Sequence, residues 1–281
     1  MKELEISLAF SPCPNDTFIF DALVNNKIDT EGLQFNYAIE DVETLNKAAF
    51  TNKYDVSKLS FHAFYKVLTH YACLTSGAAL CDDFGPIIIG KRNIPPLEFK
   101  NMTLAVPGLL TTANLIFNHF FEARQCIPFF FSEIENAVLT NKADIGIVIH
   151  ENVFSFKKKN LFELQNLGKL WQKNYNLPIP LGCIAVKRSL PEYMKQKING
   201  LIKKSIIYAF ENPNASYNFV KKNVQGTPDD IIQKHINTYV NDYSISMNDK
   251  ALTAIMFLYN DLISKKAISD SKVELFINKR I

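Results

Sequence analysis

His150 is the residue whose place in the chain best suits acid–base chemistry. It closes residues 143–150, an apolar run rich in β-branched side chains that is too short for a helix and predicts a strand buried on both faces. Ligands of α/β proteins gather outside the carboxyl ends of such strands. An imidazole there, with a pKa near neutral pH, could act as a general base. A structural histidine bonded to nearby backbone is the alternative.

A second group of polar residues could bind an anionic ligand. Thr111 and Thr112 stand at the predicted start of a helix, where unpaired N–H groups and a partial positive charge favour a carboxylate or phosphate. Lys58 lies near the end of a predicted strand and could neutralise an acidic ligand, and Ser60 follows it closely. Each also has a simpler interpretation, with the threonines and Ser60 as helix caps and Lys58 as a surface lysine.

The short motifs of common cofactor and metal enzymes are missing from the sequence. The residues after His150 and Glu151 do not complete a His-Glu-x-x-His motif, and there is no Gly-x-Gly-x-x-Gly, phosphate-binding Gly-Lys-Ser/Thr loop or Gly-x-Ser-x-Gly. The five cysteines are scattered without a Cys-x-x-Cys, which argues against a zinc site and a disulfide framework. We therefore expect no cofactor and no metal, and reduced cysteines packed as small apolar side chains.

Composition and charge restrict the class of protein. The chain has 281 residues, 47% hydrophobic and 21% charged, which is enough for two domains with large cores. A net charge of +3 is too weak to indicate a nucleic-acid partner, and the basic residues 157–159 are interpreted as a solvated loop. The N-terminus has no apolar segment of signal-peptide length, and no stretch approaches the ~20 apolar residues of a membrane span. We expect a cytoplasmic protein without membrane contact.

The elements that must position these residues alternate between strands and helices, which predicts an α/β fold. The first strand is predicted over residues 3–10. Two proline-containing segments interrupt the alternation, Pro95 with Pro96 and residues 177–182. We interpret them as the two crossovers between a first and a second lobe.

These crossovers define a two-lobed arrangement with a ligand cleft between the lobes. Lobe I comprises residues 1–93 plus 187–281 and is discontinuous in sequence. Lobe II comprises residues 94–186 and carries His150. Both lobes are expected to present the ends of their strands to the cleft.

An internal similarity supports two related lobes. Residues 51–56 and 140–145 share the pattern Thr-Asn-Lys-x-Asp-aliphatic, and each segment follows a predicted helix and enters a predicted strand. A match of this length could arise by chance, but the strand-to-helix turns that precede the two copies also correspond. The simplest interpretation is a repeated α/β unit.

A set of segments also carries a family resemblance. It consists of residues 10–20, 40–46, 58–60, 105–108 with 111–112, 149–151, 177–182, and His235 with residues 238–241. In these segments the chain resembles 1,4-dihydroxy-6-naphthoate synthase, the menaquinone enzyme of the futalosine pathway. The similarity extends from the first strand to at least Asn241, and residues 10–20 combined with 149–151 are its most specific part.

The resemblance implies a fold like that of type II periplasmic binding proteins, with two α/β lobes around a cleft. It implies a lyase that converts cyclic de-hypoxanthine futalosine to 1,4-dihydroxy-6-naphthoate and a three-carbon sugar fragment, dihydroxyacetone. The expected ligand is a small acidic molecule, and a homodimer is left open. The family's base matches His150, and its substrate-binding positions match Lys58, Leu59, Ser60, Thr111 and Thr112.

One segment departs from the family pattern, and two other functions compete with the lyase. Many relatives have Gly-Arg-Gly-x-Gly-Pro where this chain has residues 81–86, so an acid, Asp82, replaces an arginine. We interpret this turn as peripheral to the site. The competing functions are the chorismate dehydratase of the same pathway and a non-catalytic cytosolic solute-binding protein.

Overall fold

The computed structural model describes residues 4–224 and 226–277, which form two β-sheets with helices packed on them. The architecture is α/β, as the alternation of elements predicted. The expected first residue of the first strand, Glu3, lies outside the described residues. In the described part of the chain, the helices are all too short or too polar to cross a lipid bilayer.

The strands of the first sheet are β1 (Leu4–Phe10), β2 (Leu33–Ile39), β3 (Val56–Ser60), β4 (Tyr71–Cys73), β5 (Ala79–Cys81) and β11 (Ile179–Lys187). Their order is β2-β1-β3-β11-β4, with β5 paired to β11. Parallel pairing joins β1 to β2 and β3, whereas β11 runs antiparallel to β3. The helices of the same part of the chain are α1 (Pro14–Val24), α2 (Val42–Ala49), α3 (Phe61–Lys66), α7 (Glu192–Glu211), α8 (Tyr217–Asn223), α9 (Asp229–Tyr239), α10 (Asp242–Ile245) and α11 (Asp249–Ser264).

The strands of the second sheet are β6 (Ile87–Gly90), β7 (Thr103–Val106), β8 (Gln125–Pro128), β9 (Ile145–Val148) and β10 (Phe162–Asn166). Their order is β10-β6-β9-β7-β8. Three helices accompany it, α4 (Thr112–Phe120), α5 (Ile134–Leu139) and α6 (Leu167–Tyr175). The central strand β9 is buried at every position, as its continuous apolar sequence predicted.

The chain crosses between the sheets before both of the expected boundaries, at 93/94 and 186/187, and these boundaries are therefore wrong. Strand β6, expected in lobe I, pairs with β9 in the second sheet. Strand β11, expected in lobe II, pairs with β3 in the first sheet. Lobe II therefore spans residues 87–175, from the start of β6 to the end of α6, and the flanking segments form lobe I.

Pro95 and Pro96 do not mark a crossover, because they lie inside lobe II, whereas the second proline segment overlaps the return crossover between the end of α6 and the start of β11. Pro96 begins a short 3-10 helix inside lobe II, where the missing N–H of a first-turn proline has no cost. Pro180 lies inside β11, next to a shift in the register with β5, and strands accept proline at such irregularities.

The internal similarity corresponds to a shared backbone conformation. Asn52 and Asn141 occupy equivalent places in the two copies, after α2 and after α5. Both have a left-handed backbone, with φ of 54° and 58°. Asparagine is among the residues that tolerate this conformation best, which accounts for its presence in both turns.

The aspartate of each copy binds the strand beside it in the same way. The Asp55 carboxylate accepts hydrogen bonds from the backbone N–H and hydroxyl of Ser7, at 3.0 and 2.6 Å, and the Asp55 N–H donates to the same hydroxyl at 2.9 Å. The Asp144 carboxylate accepts from the N–H and hydroxyl of Thr103, both at 2.7 Å, and its N–H donates back at 3.0 Å. The repeated sequence thus fixes the register of β3 beside β1 and of β9 beside β7.

Candidate functional site

A cleft between the two lobes collects the ends of strands from both sheets. It has an empty volume of about 660 Å3. Lobe I contributes β3, β11 and α9, and lobe II contributes the start of α4 and the end of β9. The wall of this cleft includes every residue that the sequence assigned to a site, namely Lys58, Leu59, Ser60, Thr111, Thr112 and His150.

Lys58 is part of a buried ion pair. Its Nζ lies 2.9 Å from Oδ1 of Asp16, and the two side chains are 8% and 1% exposed. Asp16 lies in the first turn of α1, where the partial positive charge of the helix end favours a carboxylate. It also accepts hydrogen bonds from the Ser11 hydroxyl at 2.7 Å and the Asn15 amide at 2.8 Å. Lys58 therefore reaches the cleft as half of a neutral pair rather than as a free cation.

Asn46 connects Ser60 to the opposite lobe. Its side chain is fully buried; it accepts from the Ser60 N–H at 3.0 Å and donates to the Ser60 hydroxyl at 3.1 Å. The same amide lies 3.3 Å from the carbonyl of Leu110 in lobe II. Glu43, one turn earlier on α2, accepts from the Leu110 N–H at 3.4 Å, and burial raises the pKa of this carboxyl group. These two α2 side chains therefore hold the loop before α4 against lobe I.

The two threonines start α4 and bond to backbone carbonyls. Thr111 is the N-cap residue; its hydroxyl accepts from the Asn114 N–H at 3.3 Å and donates to the Gly108 carbonyl at 2.8 Å. The Thr112 hydroxyl donates to the carbonyl of Leu181 at 2.6 Å, which ties α4 to β11. Both hydroxyl protons are therefore engaged within the protein. An anion at this end of the cleft would meet the first N–H groups of α4.

His150 has an unusual backbone conformation at the end of β9. Its φ is 55°, in the left-handed region that non-glycine residues seldom adopt. The chain turns there from the strand into a 3-10 helix, His150–Phe154. The ring of Phe131 packs edge-on against the imidazole, with centroids 4.9 Å apart. Strained residues of this kind concentrate at functional sites, and this strain lies at the cleft.

A thiol holds the imidazole of His150. The Sγ of Cys13, the residue before α1, lies 3.2 Å from His150 Nδ1. Burial raises the pKa of Cys13, so its side chain remains a thiol at neutral pH. Burial lowers the pKa of His150, although the nearby carboxylates of Glu151, Asp41 and Asp16 act against this shift. The imidazole is therefore neutral at pH 7, as a general base must be.

Glu151, the sequence neighbour of the histidine, does not orient it. One of its carboxylate oxygens is buried and has no hydrogen-bond partner among residues 4–224 and 226–277. Its influence on His150 is electrostatic, because it is the strongest of the three carboxylates that raise the pKa of the imidazole.

His235 and Tyr239 of α9 are further residues of the cleft wall, and reasoning from the sequence assigned them no role. His235 is 1% exposed, and its ring centroid lies 6.2 Å from that of His150 and 4.7 Å from that of Tyr239. A signal was available, because His235 falls on the otherwise apolar face of α9, between Ile231 and Ile236. A histidine on a buried apolar face requires a partner.

The turn that departs from the family pattern bonds away from the cleft. The carboxylate of Asp82 lies 3.2 Å from the Tyr243 hydroxyl and 2.9 Å from Lys250 Nζ, on a half-exposed surface. Pro86, at the end of the turn, lines the cleft. The acid that replaces the arginine is thus used in a contact with α10 and α11.

Comparisons with known protein sequences give one consistent family. A family model described as "Menaquinone biosynthesis" matches residues 6–262. The 1,4-dihydroxy-6-naphtoate synthase of Thermus thermophilus is 30% identical over 272 residues, which cover 97% of this chain and 99% of the relative. The enzyme of that name from Streptomyces coelicolor is 32% identical over 259 residues, 89% of this chain and 90% of the relative.

Solved structures identify the fold. A protein of Archaeoglobus fulgidus superimposes with a TM-score of 0.89 at 32% identity, covering 94% of this chain and 98% of its own. The ligand-binding component of an ABC-type import system from Staphylococcus aureus gives 0.73 at 10% identity over 98% and 96% of the chains. The alkanesulfonate-binding protein of Xanthomonas axonopodis gives 0.71 at 10% identity over 96% of both. These last two likenesses concern the fold alone, and they confirm the predicted periplasmic-binding-protein-like architecture.

Proposed function

The chain belongs to the menaquinone biosynthesis family, and we propose from this premise that it is a 1,4-dihydroxy-6-naphthoate synthase. In this proposal it is a cytoplasmic carbon–carbon lyase that converts cyclic de-hypoxanthine futalosine to 1,4-dihydroxy-6-naphthoate and dihydroxyacetone. The observation that carries the proposal is His150, a neutral imidazole in a strained conformation on the wall of the interlobe cleft. Relatives named 1,4-dihydroxy-6-naphtoate synthase match the chain over nearly its whole length, which supports the proposed product, and the substrate is the one that the family resemblance implies.

His150 removes a proton from the sugar-derived part of the substrate in the proposed mechanism. The base is the ring nitrogen Nε2, because Nδ1 is engaged by Cys13. In the competent tautomer, Nδ1–H donates to the sulfur of Cys13 and leaves the Nε2 lone pair free. Ring opening and carbon–carbon cleavage follow, driven by formation of the aromatic naphthoate.

The substrate carboxylate binds at the start of α4 in this proposal. The N–H groups of the first turn and the helix dipole favour an anion there. Lys58 and Ser60 donate hydrogen bonds to the ligand from the opposite wall, and Leu59 lines the cleft between them. Because Asp16 already neutralises Lys58, the anion depends chiefly on the helix start.

The proposed function is tested by incubating the purified protein with cyclic de-hypoxanthine futalosine, with no added cofactor or metal. Mass spectrometry should detect 1,4-dihydroxy-6-naphthoate and dihydroxyacetone in equal amounts. Tight binding of the compound without product would instead support a non-catalytic binding protein. Turnover of chorismate in a parallel reaction would support the dehydratase.

Thr111→Val should weaken binding of the product 1,4-dihydroxy-6-naphthoate by about fivefold, because a carboxylate at a helix start gains up to about 1 kcal/mol. Valine has the shape of threonine but cannot cap the Asn114 N–H, so the first turn of α4 loses order. Isothermal titration of wild type and variant with the product measures the change.

Two controls separate this effect from a general loss of structure. 1,4-Dihydroxynaphthalene, which lacks the carboxylate, should bind both proteins equally. Thr253→Val removes a similar hydroxyl from α11, where it donates to the Asp249 carbonyl on an exposed surface, and should not change product affinity. If wild type and Thr111→Val bind the product with equal affinity, the carboxylate does not bind at the start of α4.

The pH dependence of kcat/KM should show an acid limb below pH 6.5, the ordinary pKa of histidine. Burial lowers the pKa of His150, so the neutral base persists to lower pH than a solvent-exposed imidazole would. The rate is lost as the pH falls through the pKa of His150, because the protonated ring cannot accept a proton. Glu151→Gln removes a carboxylate that raises this pKa, so the limb should move to still lower pH. A limb above pH 6.5, or one that Glu151→Gln moves upward, would contradict this assignment.

A further inference from the structure

His235 combines deep burial with a complete lack of hydrogen-bond partners. Its side chain is 1% exposed, and within residues 4–224 and 226–277 neither Nδ1 nor Nε2 has a partner. Buried polar atoms are almost always bonded, and leaving one unbonded is unfavourable. A leucine or isoleucine would satisfy this apolar face of α9 without that penalty. The ring nitrogens of His235 therefore need a hydrogen-bond partner that the described residues do not provide.

The position of the ring indicates where this partner lies. His235 is part of the wall of the interlobe cleft. Its ring is inclined by 30° to that of His150, with centroids 6.2 Å apart. The rings of Tyr239 and Phe154 pack against it, with centroids 4.7 and 6.5 Å away, and fix its orientation. A ligand that contacts the ring of His150 in the cleft is thus also close to the ring of His235.

The electrostatic surroundings keep His235 uncharged. Burial lowers its pKa well below the ordinary value, and the nearby His150 and Lys58 lower it further. A neutral imidazole presents one N–H donor and one lone-pair acceptor. This pair matches a hydroxyl group, which both donates and accepts, or a hydroxyl beside a carbonyl oxygen, whereas a carboxylate alone would leave the lone pair of the ring unbonded.

We infer that His235 is a second substrate-contacting histidine, whose ring nitrogens hydrogen bond to the oxygen atoms of the sugar-derived carbons while His150 takes the proton. This inference rests on the proposed function, because it assigns the sugar part of that substrate to the His150 end of the cleft. It gives the two histidines different tasks, with His150 as the base and His235 as the residue that orients the carbons to be cleaved. The naphthoate ring and its carboxylate lie elsewhere in the cleft.

The test compares the affinities of intact substrate and product. Binding is measured in a His150→Ala background, in which substrate is not consumed, with and without His235→Leu. We expect His235→Leu to weaken the binding of cyclic de-hypoxanthine futalosine about tenfold, which corresponds to about 1.4 kcal/mol. We expect no change in the affinity for 1,4-dihydroxy-6-naphthoate, which lacks the sugar carbons. In the otherwise unchanged enzyme, the same substitution should lower kcat/KM by at least the same factor.

The Tm of the variants separates a ligand contact from a purely structural role of His235. If His235 contacts the ligand, His235→Leu should leave Tm unchanged or raise it while substrate binding weakens, because the ring has no partner among the described residues to lose. A purely structural role would instead lower Tm. His119→Leu is the matched control, since His119 bonds to Asp261 and Tyr175 and does not line the cleft. That variant should lower Tm and leave the affinity for substrate unchanged. His235→Gln, which keeps a donor and an acceptor, should recover part of the lost substrate affinity.

The outcomes separate this inference from the proposed function. Unchanged substrate affinity in His235→Leu would overturn the inference, and so would an equal loss for substrate and product. If wild type binds the substrate without forming product, the proposed lyase fails, and a selective loss of substrate affinity in His235→Leu still supports the contact. If wild type does not bind the substrate, both are overturned.

Discussion

Replacing His150 by asparagine is expected to reduce kcat at least a hundredfold. General base catalysis typically contributes about 10²- to 10⁴-fold, and the amide cannot accept a proton at neutral pH. Asparagine disturbs the backbone less than alanine, because His150 has a φ of 55°, which asparagine tolerates better than other non-glycine residues do. His150→Ala should lose as much activity, but it also places a less tolerant residue in the left-handed conformation. Steady-state turnover of cyclic de-hypoxanthine futalosine measures the loss.

The substrate affinity of the same variants shows whether the loss is chemical. A residue that acts as the base contributes to the transition state more than to the bound substrate, so Kd for the substrate should change little. Control reactions with His119→Asn, a histidine bonded to Asp261 outside the cleft, should keep turnover within a few-fold of wild type per folded protein. A His150→Asn enzyme with near-normal kcat would exclude the imidazole from the mechanism.

Local sequence was sufficient to predict the elements and strand ends that build the cleft. The strand that ends before His150 and the helix that starts at Thr112 depend on apolar runs, turn residues and caps within a few positions. The repeated pattern that contains Asp55 and Asp144 was also visible, and it predicted two related lobes. The resemblance to a known family then assigned positions within this framework.

Contacts between distant parts of the chain could not be predicted in the same way. The sequence offers no sign that Cys13 meets His150, because the two residues belong to different lobes and touch only after docking. The lobe boundaries were wrong for a related reason. An apolar segment such as Ile87–Gly90 can join either sheet, and only tertiary packing decides which one it joins.

His235 shows how a functional position can conflict with a local pattern. Its place on the apolar face of α9 fits the helical periodicity, so the pattern marks a buried histidine but does not show what the ring contacts. Its relation to the site becomes visible only in three dimensions, where this face borders the cleft and the ring nitrogens lack partners among the described residues. Departures from local consistency of this kind are expected at functional sites.

Asp16→Ala is expected to lower the free energy of unfolding by about 3–5 kcal/mol, since it leaves the ammonium of Lys58 buried without a countercharge. The pair is 2.9 Å apart, and both side chains are almost completely removed from solvent. The exposed pair between Asp82 and Lys250 is the matched control, with side chains 50% and 43% exposed. Asp82→Ala should lower the free energy of unfolding by at most about 1 kcal/mol. Urea unfolding at neutral pH measures both changes.

The double variant Asp16→Ala, Lys58→Met separates stability from ligand binding. Removing both charges together leaves neither one unpaired, so most of the stability lost in Asp16→Ala should return. Substrate affinity should not return, because Lys58 is a proposed donor to the ligand. A double variant that regains stability and still fails to bind substrate would show that the ion pair is retained for the ligand rather than for the fold. If Asp16→Ala loses no more stability than Asp82→Ala, the ammonium of Lys58 has found water or another partner, and the neutral pair does not control the charge of the cleft.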